Sequence, residues 1–422
     1  MASIKMNKLK YYPEIRVFKG SGILKSITEE IKLDFDLVIY PHTVRIFSDY
    51  KIGLFSKLGD WSFQGQIEDG QIEVSSPVLM LFSANNKGIK LMPQKEFIIG
   101  NFNNNQIVSA EFPLIGYYGD EAEFEYENCL YRIGGDKQKA DQQEILSKTW
   151  EVQLEGYGLE IKSSNLDNDE FVKRAIIITD MLSLATGNEI GFNRQIYNYL
   201  DGSSCEIWRS QHLDDFGAYE CVPHFRISYY LKQCFPIWLE QISETEKKTI
   251  NVAVNYINST SKGYLEERLL RIAQAWELVS TDWIGDLNEV PKHIGNLKVR
   301  LKDSLKTWRN DFPEVDKAGF WTGRVLNSLS WDKSIAKSEK LASKYQINLD
   351  AIKLDLRMLF DDRNSVAHSG RFKDYAEDRI PLIDSAVLGL QLILLRKLGY
   401  TDMIHTSENR WTTYKKIEEF LI

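Results

Sequence analysis

Trp61-Ser62-Phe63-Gln64-Gly65-Gln66-Ile67 places apolar or small residues at every second position, and Asp69-Gly70 follows with Ile72 and Val74 beyond it. A period of two marks a strand with one buried face, and Asp-Gly between two such runs predicts a hairpin. The same alternation extends outward from about residue 10 to 165. It takes in the run Val78 to Phe82, then Phe97 to Phe102 and Ile107 to Phe112, expected to pair around an Asn103-Asn104-Asn105 loop. Phe124, Tyr126, Leu130 and Ile133 continue it as far as Gly134-Gly135, Asp136 to Lys148 reads as a loop or short helix, and alternation resumes over Trp150, Val152, Leu154, Leu159 and Ile161. No helical crossovers separate these runs, so a β-sandwich or barrel-like region is expected rather than a parallel βαβ core.

Beyond residue 168 the period lengthens. A helix is expected over Asp169–Ala185 and ends at Gly187, and two short strands, Ile190–Tyr199 and Cys205–Trp208, meet at Asp201-Gly202. From Pro223 onward helices are expected over Phe225–Ile242, Glu244–Ile257, Tyr264–Ser280, His293–Arg309, Leu349–Phe360 and Ala376–Leu398, with a short one over Thr412–Phe420. Leu265, Leu269, Ile272, Trp276 and Val279 share one face of the third, as a bundle helix requires. The expected fold is α+β and multidomain. Residues 1–215 form a β-rich half with an inserted helix near 169–186, and 216–422 form an all-α bundle.

A chain of 422 residues exceeds what one core supports, and 43% hydrophobic with 27% charged residues is ordinary globular composition. No apolar run reaches a membrane span, and Met1 to Gly20 contains no leader-like apolar core, so a cytoplasmic protein without a membrane partner is expected. The cysteines Cys129, Cys205, Cys221 and Cys234 form no CxxC pair and fit no common zinc spacing; buried thiols, no metal and no cofactor are expected. A net charge of −8 argues against a general nucleic-acid coat but leaves room for one basic groove. Lys292, Lys298, Arg300, Lys302, Lys306 and Arg309 face only Asp303 between Pro291 and Asn310, and Lys333, Lys337, Lys340 and Lys344 follow on what reads as another helix. Such a run is either a solvated helix face or an RNA-facing surface.

After the Leu349–Phe360 pattern comes Asp361-Asp362-Arg363-Asn364-Ser365-Val366-Ala367-His368-Ser369-Gly370. Arg363 and His368 stand in an RxxxxH frame with the polar Asn364 after the Arg, and here the chain resembles the HEPN superfamily over roughly residues 245–405. Ala275-Trp276-Glu277 is similar to the acid-bearing helix that precedes the motif there. A β-rich half before such a bundle resembles the ApeA-type large HEPN proteins of bacterial anti-phage defence. The resemblance implies a metal-independent endoribonuclease, active as a homodimer, that cuts host RNA, tRNA among it, in abortive infection once a phage-derived trigger releases it. Arg363, His368, Asn364 and Glu277 would be the site residues, and Lys298, Arg300, Lys302, Lys306 and Arg309 would bind RNA. Toxin-type members often carry Tyr two places after the His, where this chain has Gly370.

The residues suit that chemistry. Attack by a 2'-hydroxyl needs a base near it, which imidazole supplies, and a guanidinium fork is shaped for the charge that gathers on the phosphoryl oxygens. The products would be a 2',3'-cyclic phosphate and a 5'-hydroxyl, with DNA spared. Rival readings are a silent HEPN dimer that binds a nucleotide or protein partner, a purely structural role in which Arg363 and His368 cap helices or pair with Asp361 or Asp362, and a β-rich half that binds carbohydrate or peptide.

Overall fold

The computed structural model describes residues 16–26, 29–40, 43–49, 61–67, 70–85, 88–94, 96–100, 106–117, 119–135, 155–209, 219–285, 292–312, 333–372, 379–408 and 411–422. The Asn103-Asn105 loop, Asp136–Lys148 and Trp150, Val152 and Leu154 lie outside them. The chain divides into two compact units, Met1–Ser243 with Leu398–Lys416, and Glu244–Lys397 with Ile417–Ile422. An α+β fold with a β-rich N-terminal half is observed. The division after Ser243 lies beyond the expected boundary at 215/216, because the helix over Ile227–Glu240 packs on the β-rich unit.

The first unit is built on a 13-stranded antiparallel sheet. Its strands are β1 (Arg16–Lys25), β2 (Glu30–Tyr40), β3 (Thr43–Ser48), β4 (Trp61–Ile67), β5 (Ile72–Asn85), β6 (Gly88–Pro93), β7 (Glu96–Ile99), β8 (Ile107–Ile115), β9 (Ala122–Tyr126), β10 (Cys129–Gly135), β11 (Glu155–Lys162), β12 (Arg194–Tyr199) and β13 (Ser204–Arg209). The order β4-β1-β2-β3-β6-β5 closes on itself through a β4–β5 pairing, which gives the barrel-like part. Val74 and Ser75 of β5 pair both with β4 and with β7, and the sheet leaves the ring there as β7-β13-β12-β8-β11-β10-β9. The remaining strands therefore continue the ring's sheet instead of forming a second sandwich layer. Inside the ring, alternate residues Leu33, Phe35, Leu37, Trp61, Phe63 and Ile67 form the core, with Phe35 edge-on to Phe63 at 5.0 Å.

Sequence neighbours are not always partners. β7 and β8, expected to pair, are separated by β13 and β12: β7 pairs with β5 and β13, and β8 with β12 and β11. The hairpins at Gly70 and Asp201-Gly202 do form, and a further one turns at Glu127-Asn128, where positive φ values of 48° and 59° supply the twist a two-residue turn needs. α1 (Asn168–Thr186) is capped by Asp167, which accepts from the Glu170 N–H at 2.8 Å, and stops at left-handed Gly187. α2 (Ile227–Glu240) follows a 3-10 turn, His224–Arg226.

The second unit holds α3 (Glu244–Ser259), α4 (Leu265–Ile284), α5 (Lys292–Asp311), α6 (Lys333–Lys344), α7 (Leu356–Ser369) and α8 (Ile380–Lys397). Two expectations need correction. Residues 349–355 form turns, with Lys353 at φ 57°, and the helix begins at Leu356 where Asp355 caps the Met358 N–H at 3.0 Å. Ile352 is buried from the turn, and its spacing from Leu349 and Leu356 imitates a helix face across the turn. The Thr412–Phe420 stretch is a strand, β15 (Trp411–Lys416), paired with β14 (Met403–Glu408), followed by a 3-10 turn over Ile417–Phe420. Among the described residues no helix is long and apolar enough to cross a membrane.

The ring's curvature depends on facing glycines. Gly22 lies opposite Gly65, and a Cβ on Gly22 would meet the Gln64 carbonyl oxygen at 2.7 Å and the Gly65 Cα at 2.9 Å. Gly22→Ala is expected to lose roughly 1–3 kcal/mol, the usual cost of overpacking, read as a lowered denaturant midpoint.

Candidate active site on helix α7

The RxxxxH frame lies within α7, not after a helix, and the local sequence explains why. Leu356, Leu359, Phe360, Asp362 and Val366 are buried along one side, and Gly370 ends the helix in the left-handed region at φ 70°, its N–H on the Val366 carbonyl at 2.8 Å. Gly370, the position at which the chain departs from toxin-type HEPN sequences, is thus the helix stop. Ser365 and Ser369 hydroxyls both donate to the Arg371 carbonyl, at 3.2 and 3.1 Å, and fix the turn beyond it.

Asp362 turns inward and forms a buried ion pair with Arg379, 2.6 Å between Nε and Oδ2. Arg363, the next residue, is consequently rotated about 100° away. Its Nη2 lies 2.8 Å from Glu277 Oε2, and its Nη1 donates to Asn364 Oδ1 at 3.0 Å. The other Glu277 oxygen accepts from the Ser334 hydroxyl of α6 at 2.9 Å. Arg363 therefore pairs neither with Asp361 nor with Asp362, and it caps no helix. Asn364, expected as an orienting donor, accepts from Arg363, which leaves its amide N–H groups to donate elsewhere.

Glu277 reaches Arg363 because its neighbour is clamped. Trp276 is fully buried and its indole N–H donates to the Ala386 carbonyl of α8 at 2.9 Å. Gly389 makes room, since a Cβ there would stand 2.9 Å from Ile352 Cδ1 and 3.0 Å from Trp276 Cζ2. With α4 held in that rotation, Glu277 emerges beside α7. Both partners of the Arg363–Glu277 pair remain about a third exposed, at 31% and 35%. Screening limits such a pair to about 0–1 kcal/mol, so it orients more than it stabilises.

His368 lies in the last turn of α7, where the helix dipole favours a cation, and is exposed. No hydrogen bond or ion pair joins its ring to another described residue. Five residues after Arg363 on an ideal helix, it is displaced by about 7.5 Å along the axis and about 140° around it. Arg363 and His368 of one chain thus leave α7 in well-separated directions.

The basic residues are distributed along α5, where Arg300, Lys302, Lys306 and Arg309 are exposed; the Lys298 side chain lies outside the described residues. No described hydrogen bond or ion pair connects them to Glu277, Arg363 or His368. On α6, Lys340 and Lys344 are exposed, whereas Lys337 is 7% exposed and so leaves the expected positive face. All four cysteines are buried and unpaired, and among the described residues no group of His, Cys, Asp and Glu could hold a metal ion.

One cluster escaped sequence reasoning. Glu220 Oε2 lies 3.4 Å from His224 Nε2 and 3.6 Å from His405 Nδ1, bringing together residues from distant parts of the chain. Glu220 and His224 are four residues apart, but no spacing rule could have added His405, which β14 carries back to the first unit. Burial raises the Glu220 carboxyl above its ordinary value, and the two imidazoles only partly oppose this. A raised carboxyl contributes stability that is complete at low pH and is lost as pH rises through its folded-state pKa. Glu220→Gln should therefore gain melting temperature relative to wild type between pH 4 and 7.

A sharper contrast tests the site itself. Asp362→Ala removes the carboxylate that faces buried Arg379 and is expected to cost about 3–5 kcal/mol, whereas Glu277→Ala should stay within about 1 kcal/mol. Chemical denaturation of both variants reads the difference. No family model, curated protein or solved structure matches the chain, so what the site does is argued from its geometry.

Proposed function

We propose that the chain is a metal-independent endoribonuclease of the HEPN type. The observation that carries this reading is the partly exposed cluster that Glu277 of α4 makes with Arg363 and Asn364 of α7, the helix that also presents His368 to solvent. A purely structural arginine would be expected to bury its donors; Arg363 uses two and remains 31% exposed. Glu277 holds the guanidinium in one orientation, and an arginine held in advance stabilises developing charge without reorganisation during the reaction.

The chemistry follows from these groups. The 2'-oxygen of a ribose attacks the adjacent phosphorus and loses its proton to a base, the bond from phosphorus to the 5'-oxygen breaks, and that oxygen takes up a proton. His368 serves one of the two transfers, Arg363 binds the non-bridging oxygens, and Asn364 holds the phosphate or the 2'-hydroxyl through its amide N–H groups. One chain offers a single histidine here, and its Arg363 points well away from it. A homodimer that brings two copies of the motif into one cleft supplies both the acid and the base, and two-fold pairing is the commonest symmetry among soluble oligomers. Arg300, Lys302, Lys306 and Arg309 would contribute phosphate contacts to the RNA, and cleavage would therefore weaken as salt rises. The cellular role consistent with a β-rich half joined to such a bundle is a cytoplasmic, phage-triggered ribonuclease that acts on host RNA, tRNA among it.

Wild-type protein, His368→Ala and Arg363→Ala, each verified as folded, should be compared on total RNA and on DNA with chelator present, and upon overexpression in cells. The expected result is RNA fragmentation by wild type only, with at least a 100-fold loss in each variant, 2',3'-cyclic phosphate ends and intact DNA. Equal cleavage by the variants would reject the site. RNA left intact by wild type, both in vitro and in growth-arrested cells, would favour a silent bundle that binds a partner.

A further inference from the structure

A groove of about 680 Å³ crosses the outer face of the ring over β2, β1, β4 and β5. Strand register arranges its walls as two rows of side chains. Asp34, Ser21, Gln66 and Glu73 form one row, and Lys32, Ile23, Gln64 and Ser75 form the other. Gly22 and Gly65 lie between the rows on the two central strands. Their missing side chains would point into the ring, where a Cβ on Gly22 would stand 3.0 Å from Phe63 Cε2 and one on Gly65 2.9 Å from Phe35 Cε1, so on the groove side only backbone lies between the two rows.

The polar groups here are uncommitted. None of the side chains of Ser21, Lys32, Asp34, Gln64, Gln66, Glu73 and Ser75 makes a hydrogen bond or ion pair with another described residue. Elsewhere on the same sheet, charged side chains do find partners, as Arg132 does with Glu123 at 2.8 Å. The groove also has the size range of ligand sites.

We infer that this groove binds an extended, basic peptide segment of a partner protein. Length, charge and polarity each point that way. Four strands span roughly 14 Å, which is about four residues of extended chain. Gln64 and Gln66 each offer a donor and an acceptor, matching the alternating C=O and N–H groups of a peptide backbone. Two carboxylates stand at opposite ends of one row against a single lysine, which selects a cationic segment and disfavours phosphate-bearing ligands. The apolar lining residues are Ile23, Leu33 and Val74, none of them aromatic, so no flat aromatic face is offered to a sugar ring. A site of this kind would give the β-rich unit a way to recognise a protein, independently of whether the helical unit cuts RNA.

The test uses the full-length chain on an array of random heptapeptides, with a glycan array beside it. Three forms are compared: wild type, Asp34→Asn with Glu73→Gln, and Glu73→Lys. These side chains have no described partner, so unchanged melting temperatures are expected and are checked first. Wild type should select peptides rich in Lys and Arg, the neutralised variant should bind them at least tenfold more weakly, and Glu73→Lys should shift selection toward Asp and Glu. Peptide binding unaffected by either variant, selection of neutral or acidic peptides by wild type, or binding to glycans alone would each overturn the inference, as would no peptide selection at all.

Discussion

The helical unit depends on how closely α8 can approach α4. Trp276 occupies that contact, buried completely and tied to the Ala386 carbonyl, and Gly389 is the residue whose missing side chain makes the approach possible. A buried indole must place its N–H on an acceptor, which fixes not only the distance between the helices but the rotation of α4 about its axis. Glu277 is the next residue, so its direction is inherited from that contact. The orientation of the Glu277–Arg363 pair thus follows from a packing requirement outside the pair itself.

A second constraint acts from the other side. Asp362 and Arg379 are both buried, and a buried charge without its counterpart costs far more than a surface pair can return. Their pairing holds α7 in register with the start of α8 and turns Arg363 outward. Two buried contacts, one apolar with a hydrogen bond and one ionic, therefore converge on an exposed pair that has little stability of its own. That division suits a site whose arginine must be held without being buried.

The β-rich unit solves a different problem. Closing six strands into a ring removes edges that would otherwise attract other strands, and tight closure requires backbone contacts that only glycine permits. The same glycines leave bare backbone between the two rows of polar side chains on the outer face, and the groove crosses the ring there.

Local pattern in the sequence determined much of this. Alternation identified the β-rich half, apolar periodicity identified the helices of the bundle, and the RxxxxH frame together with Ala275-Trp276-Glu277 named Glu277, Arg363 and Asn364, which meet between α4 and α7, while His368 lies apart from them. Asp355 and Gly370 explain the limits of α7 after the fact, yet the buried turn residue Ile352, in step with Leu349 and Leu356, disguised its start, because burial and helical spacing look alike over a few residues. Only the tertiary structure decided which strands pair, since β7 and β8 are neighbours in the chain and strangers in the sheet. It alone turned Arg363 toward Glu277 and away from Asp361 and Asp362, and it brought Glu220, His224 and His405 together. Those outcomes rest on contacts between residues far apart in the chain, and periodicity is blind to them because it records only what a residue does relative to its near neighbours.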